Sequence, residues 1–437
     1  MLYCELTRKY DIHVKPQLNK QRIRVGYDCK CLISSILLFL FGFLLIQLSG
    51  CATPKRVALP EQYAGKAEIP GMPGVRDWGD MHSDAFQEDF VHSIKQYIDS
   101  KPEGYKHEDD TFNVLAISGG GSDGAFAAGL ISGWDASGTR PTFKLVTGIS
   151  TGSLIAPFAF LGGKYDALIG KLYTSITTGD IFKMRSIFSI LWGADSIADS
   201  SPLADLIAEH VNEEMLKDVA KAHSEGRRLF IGTTNLDARR LVIWNMGAIA
   251  SSGHPNALEL FRKIMRASAS MPIAFPPMLI EVEADGKTYD EMHVDGGVTV
   301  EVFFYGDLVN IDEARKSLGI TKKPKSRLFI IRTTQIQPAY EPVERKLMSI
   351  GGKAISSMVE SQGVGDLYRI YAITKRDGVD YNLASIPPEW VPNPKEPFDP
   401  ADMKRLYDFG YNMAKSGYPW QKYPPFFHES SGTVQIR

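Results

Sequence analysis

The chain has 437 residues, of which 44% are hydrophobic, 11% aromatic and 23% charged. This globular composition excludes a disordered chain, a collagen-like repeat and a polytopic membrane protein. From Cys51 onward 42 basic residues face 48 acidic ones, a balance of -6 with no basic run, which excludes nucleic acid as a partner.

All four cysteines (Cys4, Cys29, Cys31, Cys51) lie in the first 51 residues, so the body has neither disulfides nor a Cys-based zinc site. Leu32 to Gly50 is almost wholly apolar and follows Lys20, Arg22, Arg24 and Lys30. A basic stretch, an apolar stretch and small residues before a cut describe a secretory signal peptide. An uncleaved anchor is the alternative, since a run of this length at about 1.5 Å per residue nearly spans a bilayer core. The ending Leu48-Ser49-Gly50-Cys51 resembles the bacterial lipobox, whose cysteine is acylated and becomes the new first residue. Ala52 stands where an aspartate typically retains such lipoproteins at the inner membrane, so the resemblance implies the outer membrane. The chain thus divides into 1–50 (signal peptide with lipobox), 51–75 (lipidated N-terminus and Pro/Gly-rich tether) and 76–437, with no linker to split the last.

Within the body, Phe86, Phe90, Val91, Ile94 and Tyr97 share one helical face. Phe112–Ile117 and Phe143–Thr147 read as buried strands, each followed by a helical pattern at Ala125–Trp134 and Leu154–Leu161. Leu203–Val211 and Ala257–Ser268 read as helices, and Leu229–Thr233, Leu241–Trp244 and Leu328–Arg332 as strands. Asp285-Gly286 predicts a hairpin turn between Leu279–Val282 and Thr288–His293. The remainder reads as mostly helical, around 344–372 and 400–415. Strands alternating with helices predict an α/β fold with a largely parallel sheet covered on both faces.

Three segments carry chemistry. Gly119-Gly120-Gly121-Ser122-Asp123-Gly124 follows a strand and opens a helix. It also fits the dinucleotide fingerprint, but that reading wants a carboxylate at the end of the next strand, where Val146-Thr147-Gly148 has none. Either way, bare amides at a helix N-terminus suit an anion. Gly148-Ile149-Ser150-Thr151-Gly152 is a G-x-S-x-G nucleophile elbow, whose glycines permit the sharp turn that exposes a serine at a helix head. A serine nucleophile usually takes its base from histidine. His254 and His293 read as surface or structural residues, and only His428 follows a candidate acid, so no triad assembles. Val294-Asp295-Gly296-Gly297 places a carboxylate on a glycine-flanked turn, which alone would be an ordinary β-turn.

In this order, and with a block from Arg266 to Pro277 of small residues ending in Phe-Pro-Pro, the segments resemble the patatin-like phospholipase family over at least Phe112 to Gly297. The resemblance implies a three-layer α/β/α fold with a mainly parallel sheet over a 76–437 hydrolase domain, its later helices a C-terminal extension. It implies a Ser–Asp dyad without histidine, with Ser150 the nucleophile and Asp295 the base. The amides of Gly119, Gly120, Gly121 and Ser122 correspond to the oxyanion hole, while Gly124, Gly148, Gly152, Gly296 and Gly297 complete the motifs. No cofactor or metal is implied. The expected partners are a membrane lipid ester as substrate and the membrane itself, through Cys51. A non-catalytic scaffold keeping the fold and a general esterase remain the competing readings. One departure stands out: where the family commonly has Arg before the last glycine of the loop, this chain has Asp123. Ile187–Trp192 (IFSILW), apolar on all sides, is either plain core or a lid over acyl chains.

Overall fold

The computed structural model describes residues 56–102, 110–186, 188–189, 192–305, 308–337, 340–430 and 433–436. The expected signal peptide, Cys51, and Ile187, Ile190 and Leu191 lie outside the described residues. Val57–Arg437 form one unit.

Nine strands make its main sheet: β1 (Arg76–Trp78), β2 (Thr111–Ile117), β3 (Leu145–Gly148), β4 (Arg228–Asn235), β5 (Arg240–Asn245), β6 (Met278–Ala284), β7 (Lys287–Asp295), β8 (Lys325–Gln335) and β9 (Asp380–Ile386). Their order is β1-β5-β4-β3-β2-β8-β9, with the β6–β7 hairpin attached to β4. The five strands from β9 to β4 are mutually parallel. The remaining pairings are antiparallel.

The central strands are apolar on both faces, and alternate residues feed two different cores. Leu115, Ile117, Val146, Leu229, Ile231, Phe329 and Ile331 pack into one cluster. Val114, Ala116, Leu145, Phe230, Leu328 and Ile330 pack into the other. A strand buried on both faces needs helices above and below it. Phe86 from helix Asp84–Asp99 and Leu367, Ile370 and Tyr371 from helix Leu347–Asp377 close the second core. Helices Gly124–Ala136, Thr151–Leu161, Glu213–Ser224, Ala257–Ser268 and Pro400–Lys415 close the first. The result is the expected three-layer α/β/α arrangement. The helix behind the glycine loop is anchored backbone to backbone: a Cβ on Gly129 or Gly133 would stand 2.1 Å from the carbonyl oxygens of Tyr407 and Tyr411.

The Asp285-Gly286 hairpin forms as expected, both residues adopting positive φ. β9 was not expected, because Asp380, Asn382 and Ser385 interrupt its apolar pattern; parallel pairing with β8 supplies what local pattern does not. The stretch read as tether also differs. From Val57 on it is laid along the hairpin, with Ala58 bridging Asp290 and Glu68 pairing with Glu283. Ala67, Ile69, Met72 and Val75 are buried in the core, so these scattered apolar residues outweigh the prolines around them.

Candidate active site

β3 ends at Gly148 and the next helix begins at Thr151, so two residues reverse the chain. Ser150 does so at φ 53°, ψ -126°, a conformation costing an L-residue about 1–3 kcal/mol and held by its surroundings. Those surroundings require glycine on either side. A Cβ on Gly148 would stand 2.4 Å from the carbonyl oxygen of Gly152, and one on Gly152 would stand 2.3 Å from that of Ile117. The helix head is thereby drawn against β2 with the serine at its tip.

The short length of β3 also places Asp295. β3 pairs with β4 only from Arg228 to Ile231. Beyond that point β4 has a free edge, and the end of β7 fills it, with Asp295 opposite Thr233 and Val294 opposite Thr234. Asp295 is 1% exposed. Burial pushes its carboxyl up to about 7, against the Ser150 hydroxyl and the Gly297 amide, which favour the ionised form. Gly297 N–H donates to Oδ1 at 2.8 Å, while Oδ2 has no hydrogen-bond partner among the described residues. Serine and carboxylate are thus neighbours in a resting geometry that is not yet tightened.

The block at 266–277 joins the two, a role that motif matching did not reveal. Buried Ser268 accepts from Ser150 N–H at 3.0 Å and donates through Oγ to Gly232 O at 2.7 Å. Two residues later, Ser270 O accepts from Asp295 N–H at 2.9 Å. Ser268 makes its link through the hydroxyl and Ser270 through its backbone carbonyl.

Of the four amides expected to form the oxyanion hole, Gly119 is already engaged, donating to Glu301 O at 3.2 Å. Its role is to fix the loop, and a Cβ on it would stand 3.0 Å from Ser150 Cβ. The amides of Gly120, Gly121 and Ser122 have no acceptor among the described residues. Gly120 (φ 158°) and Gly121 (φ 57°) turn the loop into helix Gly124–Ala136. Gly119 to Gly121, Ser150 and Asp295 line a cavity of about 340 Å³.

The cavity is amphipathic. Leu154, Ile181, Leu203, Met271, Phe275 and Phe398 supply its apolar lining, and Phe182 packs edge-on to both Phe275 and Phe398. Asp123, Glu301 and Glu360 supply its polar lining with Thr334 and Ser356. Asp123 heads its helix without capping it, and burial together with Asp402 and Glu360 pushes its carboxyl up to about 7. Ile273, between the lining residues Met271 and Phe275 in sequence, holds φ 71°, an outlier for a β-branched residue.

No histidine among the described residues is bonded to Ser150. His293 is fully buried between Thr233 Oγ1 (2.9 Å) and Glu291 Oε2 (3.0 Å), and the Arg76 guanidinium binds the same glutamate. His254 is half-buried and accepts from Asn256 N–H at 3.2 Å. The side chain of His428 lies outside the described residues. In Ile187–Trp192, the two described aromatic residues are not core: Phe188 and Trp192 are 62% and 73% exposed, their rings 5.8 Å apart.

Residues 115–304 match the family model described as patatin-like phospholipase. No curated protein sequence matches the chain. Similar solved structures include VipD from Legionella pneumophila, 11% identical over 70% of this chain and 66% of that one, with a TM-score of 0.35. A structure of SpcU in complex with ExoU from the type III secretion system of Pseudomonas aeruginosa is 12% identical over 70% of this chain and 52% of that one, with a TM-score of 0.30. The chain spans less than two thirds of either.

Proposed function

Residues 115–304 form a patatin-like phospholipase domain, and on that premise we propose that the chain is a membrane-anchored serine lipid acyl hydrolase working through a Ser150–Asp295 dyad. The observation that supports this reading is the register that sets a buried, poorly solvated carboxylate beside a serine on a strained elbow, in a cavity with three amides that have no acceptor among the described residues.

In this mechanism Asp295 takes the Ser150 proton as Oγ attacks the carbonyl carbon of an acyl ester. A carboxylate is a weak base for an alcohol, and burial raises its basicity toward the working pH. The tetrahedral oxyanion forms against the amides of Gly120, Gly121 and Ser122 and two helix N-termini. Its collapse breaks the ester C–O bond, and the leaving alcohol takes the proton from Asp295. Water, deprotonated by the same carboxylate, attacks the acyl-Ser150 ester; the fatty acid leaves and Oγ regains its proton. No step calls for a metal. Acylated Cys51 holds the domain at the outer membrane, where lipid is the most concentrated ester.

Nitrophenyl-ester hydrolysis and fluorophosphonate labelling test the dyad. Wild type is expected to turn over and be labelled on Ser150, and Ser150→Ala and Asp295→Asn to lose turnover. Because the two act as one unit, the double variant is expected to lose little beyond either single one. Full activity in Asp295→Asn would overturn the dyad, and no labelling of wild type would leave a non-catalytic scaffold.

A further inference from the structure

The reading of this site as a lipid hydrolase leaves one set of groups without a task. Among the described residues the cavity lining includes four carboxylates, Asp123, Asp295, Glu301 and Glu360, and no Lys or Arg. Asp295 belongs to the dyad; the other three do not. Asp123 and Glu301 are each within electrostatic reach of Glu360, so the three form one group.

The structure occupies Asp123 and Glu301 to different degrees. Asp123 occupies an N-cap position, where an aspartate ordinarily accepts from the first-turn amides, yet it makes no cap bond. Glu301 is 1% exposed, and its Oε2, 3.4 Å from the Arg332 guanidinium, accepts no hydrogen bond although the residue borders the cavity. Its Oε1 accepts from Thr334 Oγ1 at 3.3 Å. Arg332 is the nearby cation, and it is spent behind the wall: it is 1% exposed, donates to Glu360 O at 2.9 Å and does not line the cavity. Glu301 is thus held from behind, its Oε2 against Gly363 and beside Arg332, whereas Asp123 lines the cavity with no hydrogen-bond partner among the described residues, and burying a carboxylate without a partner is costly.

From this arrangement we infer that the lipid substrate carries an ammonium group in its polar end, which Asp123 and Glu360, the two lining carboxylates outside the dyad that Arg332 does not pair, receive while Ser150 attacks the acyl ester. The apolar lining takes the acyl chain, and the carboxylate wall pairs with the cation. An anionic headgroup offers no cation to the wall and finds none on it. Like charges a few Å apart in a half-enclosed site repel more strongly than in bulk water, so such lipids are disfavoured.

The inference rests on the lipid-hydrolase reading, and the test separates the two. Full-length protein in detergent is given mixed micelles holding equal amounts of dioleoyl phosphatidylcholine and dioleoyl phosphatidylglycerol, so both lipids compete on one surface. Mass spectrometry follows the two lyso products. Phosphatidylcholine is expected to be consumed at least tenfold faster. Glu360→Lys is expected to move the ratio toward or past one, and Asp123→Asn to move it in the same direction less strongly, with circular dichroism verifying each fold. Equal rates for the two lipids in wild type, or a ratio unmoved in a folded Glu360→Lys, would overturn the ammonium subsite while leaving the hydrolase intact. Hydrolysis of nitrophenyl butyrate with neither lipid consumed would instead overturn the lipid reading on which it stands.

Discussion

Asp295 lies opposite Thr233, on the part of β4 that β3 leaves unpaired when the chain turns at Ser150. The turn that makes the nucleophile and the vacancy that seats the base are therefore one structural event. Lengthening β3 by two residues would both bury Ser150 and expel Asp295 from the sheet.

Burial that holds the Asp295 carboxyl near 7 has consequences of opposite sign for activity and stability. Activity needs the ionised form, so kcat/KM on a neutral ester is expected to rise with pH through about 7. The unfolded carboxyl releases its proton near the ordinary Asp range. Between about pH 4 and 7 the native state therefore binds more protons than the unfolded state, and stability falls as pH rises. Above pH 7 the cost is on the order of 4 kcal/mol. Asp295→Asn is thus expected to melt higher than wild type at pH 8, with the gain fading toward pH 4. Equal melting temperatures at pH 8 would show that the carboxylate carries no such penalty.

The elbow glycines and the loop glycines are expected to differ in kind. Gly152→Ala would drive a methyl to 2.3 Å from the Ile117 carbonyl oxygen, which is backbone and cannot yield, so this variant is expected to lose the fold or several kcal/mol. At Gly121 nothing lies within 4 Å of an added Cβ, and only the positive φ opposes it. Gly121→Ala is expected to cost about 1 kcal/mol and remain folded. Denaturant titration compares them; similar midpoints would contradict the packing described.

Ser268→Ala removes the hydroxyl that ties Ser150 N–H to Gly232 O. Two buried backbone groups would lose their partner, at about 1–3 kcal/mol. Loss of elbow alignment is expected to lower kcat roughly tenfold or more with KM for a soluble ester little changed. An unchanged kcat would make Ser268 a purely structural residue.

Phe188 and Trp192 are exposed, so serine at both positions is expected to leave thermal melting within about 1 °C of wild type. If their rings meet the bilayer or the acyl chain, activity on long-chain phospholipid falls while acetyl esters are cleaved as before. Equal loss on both substrates would exclude that role.

Cys51 is expected to be the first residue of the mature protein and to carry the anchor, because the body, at -6, has no electrostatic route to an anionic membrane. Cys51→Ala should block processing and release. Residues ahead of Cys51 in the native protein, read by mass spectrometry, would show an uncleaved anchor instead.

By itself the sequence determined the parts that depend on neighbours along the chain. Apolar runs of strand length, glycines flanking Ser150, and Asp285-Gly286 between alternating segments each act over a few residues, so their effects were legible there. The tertiary structure decided what depends on residues far apart. Polar residues hid β9 from pattern, and only pairing with β8 makes it a strand. Scattered apolar residues in 57–75 gave no period, yet the hairpin and core they meet hold them down. Gly119 looked equivalent to its neighbours until Glu301, 182 positions later, took its amide. Asp295 as a turn residue was ambiguous in sequence; the unpaired edge of β4 sets it beside Ser150 and removes it from water. That desolvation, which no local pattern encodes, is what makes a carboxylate basic enough for the chemistry proposed.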